Sequence, residues 1–134
     1  MEVEVTVDDA AVRRLLERAP ASINRALRAG MTDATVLILR RMRTYPPQRV
    51  GSAYKRTNTL KGSWSRTVTG TGADVVGRVS SNGNVAPYNR LVQDATQQAR
   101  VHRGRWTNTA QAVARDSTAQ INEMFRNRID AALR

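Results

Sequence analysis

Few residues in this sequence could do chemistry, and their spacing combines them poorly. His102 is the single histidine, there is no cysteine, and Arg100, Arg103 and Arg105 surround the histidine. A metal centre needs several His, Cys or carboxylate ligands, so this surrounding argues against one. A serine triad would have to use the same histidine, and Ser52, Ser63 and Ser65 lack the Gly-x-Ser-x-Gly setting of an exposed nucleophile. Asp74 and Asp94 are the only acids between residues 40 and 105, and Asp74 belongs to a turn, so paired-carboxylate hydrolysis is not expected. The Gly-Thr-Gly at 70–72 lacks the Gly-Lys-Ser/Thr ending of a phosphate loop and lies between two expected strands. No catalytic residue, metal or cofactor is expected: the sequence reads as a non-enzyme.

The chemistry the chain does offer is that of arginine. Twenty of its 22 basic residues are Arg, against 11 acids, and the net charge is +11. Residues 40–105 carry thirteen basic side chains against two acids, while the two ends balance at nine of each. Forked guanidinium groups suit phosphates and carboxylates, so a basic middle suggests a polyanion or an acidic partner surface. A solvated surface in an Arg-favouring genome would give the same excess. Tyr45, Tyr54, Trp64, Tyr88 and Trp106 are interleaved with these arginines, a combination that single-strand nucleic-acid grooves use. The two indoles also have a core to fill in a chain with only six aromatics, and that reading weighs more.

The elements that must position these residues are set by pattern. A chain of 134 residues fits one domain, expected over 1–134. No apolar run is long enough to span a membrane. The acidic, alternating start is unlike a secretory signal, and with the absence of cysteine it points to synthesis in a cytoplasm. The period-two alternation of Glu2–Val7 predicts a strand, and Asp8 or Asp9 then caps a short helix bearing Val12, Leu15, Leu16 and Ala19. From Pro20 to about Arg43 one stripe of Ile23, Leu27, Met31, Ala34, Ile38 and Met42 predicts a long helix. Tyr45-Pro46-Pro47 ends it, and Gly51-Ser52 keeps the next segment irregular. Trp64–Thr69 and Asp74–Ser80 predict a hairpin across Gly-Thr-Gly-Ala-Asp, with Val75, Gly77 and Val79 on one face. Asn82-Gly83 marks a second turn, and Ala86–Gln93 a short helix with Tyr88, Leu91 and Val92 inward. A closing helix capped by Thr107 or Asn108 carries Ala110, Val113, Ile121, Met124 or Phe125, and Ala132 on one side. The expected class is α+β: a small antiparallel sheet packed against two longer helices, with a long basic loop.

The segment Tyr45–Trp64, "YPPQRVGSAYKRTNTLKGSW", resembles head–tail joining and tail-completion proteins of long-tailed bacteriophages. There a helix ends in a proline pair, and a Tyr-x-Arg-Thr-x-x-Leu run leads through a turn to Ser-Trp. "SNGNVAPYNRLVQ" and "QQARVHRGRWTN" are similar to two later elements of that family, in the same order. The likeness spans residues 45–107, about half the chain. Asn58 in place of glycine, Lys61 within the turn and Asn89 in place of a small residue depart from the pattern.

The resemblance implies a virion structural protein without catalytic activity, assembling as a homohexameric ring at the neck. The partners implied are the head-completion proteins and the tail tube or tail terminator, with genomic DNA passing through the lumen and no membrane. Arg49, Lys55 and Arg56 are then expected to face a partner or the lumen. Arg100, His102, Arg103 and Arg105 would form a second contact surface. Pro46, Pro47, Leu60, Trp64, Tyr88 and Trp106 would be structural anchors, with Leu60 and Trp64 against the sheet and Tyr88 with Leu91 packing the later loop down. The alternative expectation is a small basic nucleic-acid-binding protein.

Overall fold

The computed structural model describes residues 1–7, 10–17, 19–47, 51 and 59–134. Strand β1 (Glu2–Val5) is followed by helix α1 (Ala10–Glu17) and the long helix α2 (Ala21–Met42). A single-turn helix α3 (Thr59–Ser63) enters strand β2 (Trp64–Thr69), and a 3-10 turn at Gly72–Asp74 leads to β3 (Val76–Ser81). Pro87–Asn89 forms another 3-10 turn that runs into α4 (Arg90–Gln93), Arg100–His102 a third, and α5 (Ala110–Ala132) closes the chain. The sheet is antiparallel in the order β1-β3-β2. The α+β expectation is therefore met: α2 packs on the sheet, and α5 packs on α2 and beside β1.

The apolar stripe of α2 explains this arrangement. Ile23, Leu27, Met31, Ala34, Ile38 and Met42 are all buried, because steps of three and four keep them on one side of the helix. Ala34, Leu37, Ile38 and Met42 meet Val3, Trp64 and Val79 from the sheet and Ala110, Val113 and Ile121 from α5. Gly77 lets the strand come close: a Cβ there would lie 2.6 Å from Thr35 Cγ2 and 2.7 Å from Met31 Sδ. Gly70 serves the hairpin turn, with φ at +80° and the Asp74 carbonyl oxygen against the place a Cβ would occupy.

The outer edge of β2 is covered from α2. The bond from Asn82 N–H to the Ser63 carbonyl sets the register, so Trp64 and Val68 turn their carbonyls away from β3. Arg43 donates to the Trp64 carbonyl at 2.7 Å, and Arg28 donates to those of Val68 and Gly70 at 3.2 and 2.8 Å. Guanidinium groups thus occupy acceptors that a foreign strand would need.

Several expectations change in detail. The first strand stops at Val5, and the residues leading into Trp64 are helical over Thr59–Ser63, where the Ser63 hydroxyl bonds the Leu60 carbonyl at 2.6 Å. Leu60 is buried, but away from the sheet: it packs with Ala86, Val92, Trp106 and Tyr45 in a second cluster under the loops. The cap of α5 is Thr109, whose Oγ1 accepts from the Ala112 N–H, in place of Thr107 or Asn108. Asp8, Asp9 and the side chains of Val12, Leu15 and Leu16 lie outside the described residues.

Gln93, fully buried, joins the two clusters. Its Oε1 accepts from Trp64 Nε1 at 2.9 Å, and its Nε2 donates to the Met42 carbonyl at 2.9 Å and the Asn108 carbonyl at 3.3 Å. Asn108 in turn donates to the carbonyls of Arg41 and Thr44 at 2.9 and 2.6 Å, satisfying the last turn of α2. Replacing Gln93 by Leu orphans the Trp64 N–H and weakens the pairing of Met42, at about 1–3 kcal/mol per buried group. Chemical denaturation should show a loss of about 2–4 kcal/mol, and Gln93→Leu with Trp64→Phe should cost less than the sum of the single changes. Additive losses would contradict the pairing.

Candidate interaction surface

The end of α2, helix α3, residues 82–106 and the start of α5 meet at one end of the molecule, tied by Gln93 and Asn108. Cations collect there. Arg40, Arg43 and Lys61 line a groove of about 370 Å³ with Val36, Leu39 and Thr44. Arg41 and Arg105 line another of about 490 Å³ with Tyr45, Pro46, Asn108 and Asp116. Arg90, Arg100 and Arg103 are exposed on the loops beyond.

None of these eight cations forms an ion pair with a described carboxylate. The ion pairs among described residues use Arg13 with Asp74, Arg78 with Glu2 and Glu4, Arg115 with Asp116, and Arg128 with Asp33. Among the described residues, the cations at this end hydrogen-bond only neutral oxygens. Arg41 reaches Ser117 and Gln120, Arg103 the Gln98 carbonyl at 3.3 Å, and Arg105 the Pro47 carbonyl at 2.8 Å. Asp94, the one acid on these loops, is engaged by the backbone and hydroxyl of Thr96, by Gln97 and by Gln111. Those hydrogen bonds, the Thr96 hydroxyl first, hold its carboxyl below the usual value and keep it ionised.

The expected site residues are thus partly brought together. Arg100, His102, Arg103 and Arg105 share one loop, a 3-10 turn and its exit. Arg49, Lys55 and Arg56, with Tyr54, lie outside the described residues. Pro46 is half-buried and Pro47 exposed; Trp64 and Trp106 are buried, and Trp106 packs at 4.9 Å from the Tyr45 ring. Buried indoles offer no face on which a base could stack.

Tyr88 corrects the reading, and Leu91 with it: both are 44% exposed and neither packs the loop down. The reason is local geometry. The segment enters through a 3-10 turn, whose period is three residues rather than 3.6. Ala86, Asn89 and Val92 therefore take the inward row, and Val85, Tyr88 and Leu91 the outward one. Pro87 opens this turn; a period of 3.6 puts Tyr88 and Leu91 inside with Val92, and of the three only Val92 is buried. Arg40, Arg41, Arg43 and Lys61 were visible only as part of the charge excess; their grouping depends on where α2 and α3 end.

Among the described residues, no group of three or more His, Cys, Asp or Glu side chains could hold a metal ion, and no helix is long and apolar enough to cross a membrane. Compared with models of known protein families, curated protein sequences and solved structures, the chain matches none of them.

His102 sits edge-on to Trp106, with ring centroids 6.1 Å apart. Burial, and then the charge of Arg105, push its pKa below the ordinary 6.5, so the folded state holds it neutral. Unfolding lets it bind a proton more readily, so its contribution to stability is complete above the unfolded value and is lost as pH falls through the folded one. The melting temperature should drop between about pH 7 and pH 5.5, and His102→Gln should flatten that slope. Identical slopes would show that His102 does not report this environment.

Proposed function

We propose that the chain is a structural protein of a tailed-phage neck, one subunit of a hexameric ring that joins the head-completion complex to the tail tube. The observation that carries the reading is the end of the molecule where eight cations gather and none is ion-paired with a described carboxylate. A fold of this size does not need such a concentration of like charge, which repels itself until something acidic arrives. Interface charge of this kind governs partner choice and docking rate more than stability. The order of sequence elements that resembles tail-completion proteins supports the same reading. So does their placement: "YPPQ…GSW" ends, and "PYNRLVQ" and "RVHRGRW" lie, at this basic end.

In this account β1–β3 and α2 form the rigid body, and the basic end docks against acidic neighbours or lines the lumen through which DNA passes. The chain acts by binding alone, with no cofactor. The phosphate backbone of DNA suits the same charge, and the alternative of a small nucleic-acid-binding protein rests on that point. The burial of both indoles favours assembly over single-strand recognition.

Lys61 and Arg100 are exposed and make no hydrogen bond to a described residue, so Lys61→Glu with Arg100→Glu should change stability by no more than about 0.5 kcal/mol. Joining should fail, leaving filled heads and unattached tails in electron micrographs of infected cells. Free duplex DNA should bind the unaltered protein weakly, without sequence preference and less as salt rises. Fully infectious particles carrying both changes, or a tight sequence-selective DNA complex at physiological salt, would contradict the proposal.

A further inference from the structure

Six large apolar side chains are markedly exposed among the described residues, and four of them, Val85, Tyr88, Leu91 and Val101, fall within seventeen residues of one another. The first three form the outward row of the period-three turn. Val101 is brought to them by the bond from the Ala99 N–H to the Leu91 carbonyl, at 2.8 Å. Val101 is 65% exposed and the others 44–45%, so four apolar side chains on two hydrogen-bonded segments face water. Arg90, Arg100 and Arg103 border this strip, all exposed and without a described carboxylate partner. Exposed apolar surface with a polar rim marks a contact site, and here the rim has one sign.

We infer that this strip docks a second, different protein, through an acidic segment whose apolar side chains meet Val85, Tyr88, Leu91 and Val101 while its carboxylates meet Arg90, Arg100 and Arg103. Nucleic acid fits the rim and could stack a base on Tyr88, but it offers nothing to Val85, Leu91 and Val101, three of the four apolar side chains. Another copy of the chain is a poor occupant as well. Its described acids are mostly committed: Glu2 and Glu4 to Arg78, Asp33 to Arg128, Asp74 to Arg13, Asp116 to Arg115, and Asp94 to its own loop and Gln111. Glu17, Glu123 and Asp130 are left, one on α1 and two on α5. The acid this strip requires comes from elsewhere. The inference rests on the joining reading in one respect, that the chain meets other proteins, and it assigns one such contact to these residues.

The test uses the full chain and three probes: a synthetic amphipathic helical peptide of Leu and Glu, its Leu and Lys counterpart, and a short DNA duplex. Binding is followed by fluorescence anisotropy. The Leu/Glu peptide should bind, and the Leu/Lys peptide should not. Tyr88→Ser with Leu91→Ser should weaken the Leu/Glu peptide about tenfold, as should Arg100→Glu, because apolar anchors and their charged rim act together. The serine pair leaves the buried Ala86, Asn89 and Val92 of the same segment in place, and circular dichroism should report an unchanged fold. Duplex binding should follow Arg100→Glu and ignore the serine pair. Equal affinity of the serine pair and the unaltered protein for the Leu/Glu peptide would overturn the inference. So would duplex binding that depends on Tyr88 and Leu91. Native mass spectrometry of the same variants separates this inference from the ring. Hexamers that persist in the serine pair support a strip facing another protein. Hexamers lost there would assign the strip to contact between copies, overturning the inference while leaving a ring-forming protein.

Discussion

The buried amide of Gln93 connects four segments that come from distant parts of the sequence. Trp64 at the start of β2, Met42 at the end of α2 and Asn108 before α5 all meet it, and Gln93 itself ends α4. A primary amide in an apolar interior is tolerated only when its donors and acceptor are satisfied, so its partners are held at fixed places. Once Trp64 and Met42 are so held, the sheet lies at a set height on α2. Once Asn108 is held, its own amide closes the end of α2 and aims α5 back along that helix. Arg128 with Asp33, at 2.7 Å, ties the last turns of α5 to the middle of α2.

That junction also decides where charge goes. Arg40, Arg41 and Arg43 sit on the last turn of α2 and its cap, where cations favour the negative end of the helix dipole. Local benefit accounts for three cations there; it does not account for Lys61, Arg90, Arg100, Arg103 and Arg105 arriving at the same end through other segments. Their convergence is a property of the fold. It places repulsion at one end of a small protein, and a partner carrying acid would relieve it.

Much of the framework was legible because it depends on periodicity. The stripe from Ile23 to Met42 and the alternation around Val75, Gly77 and Val79 leave little freedom once apolar side chains must be buried. The outward placement of Tyr88 and Leu91 was not legible, since it depends on a 3-10 turn adding its own period just before α4. Leu60 joining Trp106 rather than the sheet was hidden for a similar reason: α3 is one turn long, too short for a pattern. Asn108 has the residue type of a cap for the helix after it, yet its amide closes a helix 66 residues earlier, at Met42, which no local pattern reveals. As for the site, the arginines were countable in the sequence, but their gathering at one end required knowing where α2 stops and how residues 82–106 fold back.

As proposed, this chain forms a ring at a phage neck, with its basic end against an acidic neighbour. Electron cryo-microscopy of the virion neck tests it most directly. A ring of about six copies is expected, into which β1–β3, α2 and α5 fit as one body. The end carrying Lys61 and Arg100 should face an adjoining protein or the DNA-filled lumen. A neck reconstructed without this chain, or a ring whose basic end faces open solvent, would contradict it.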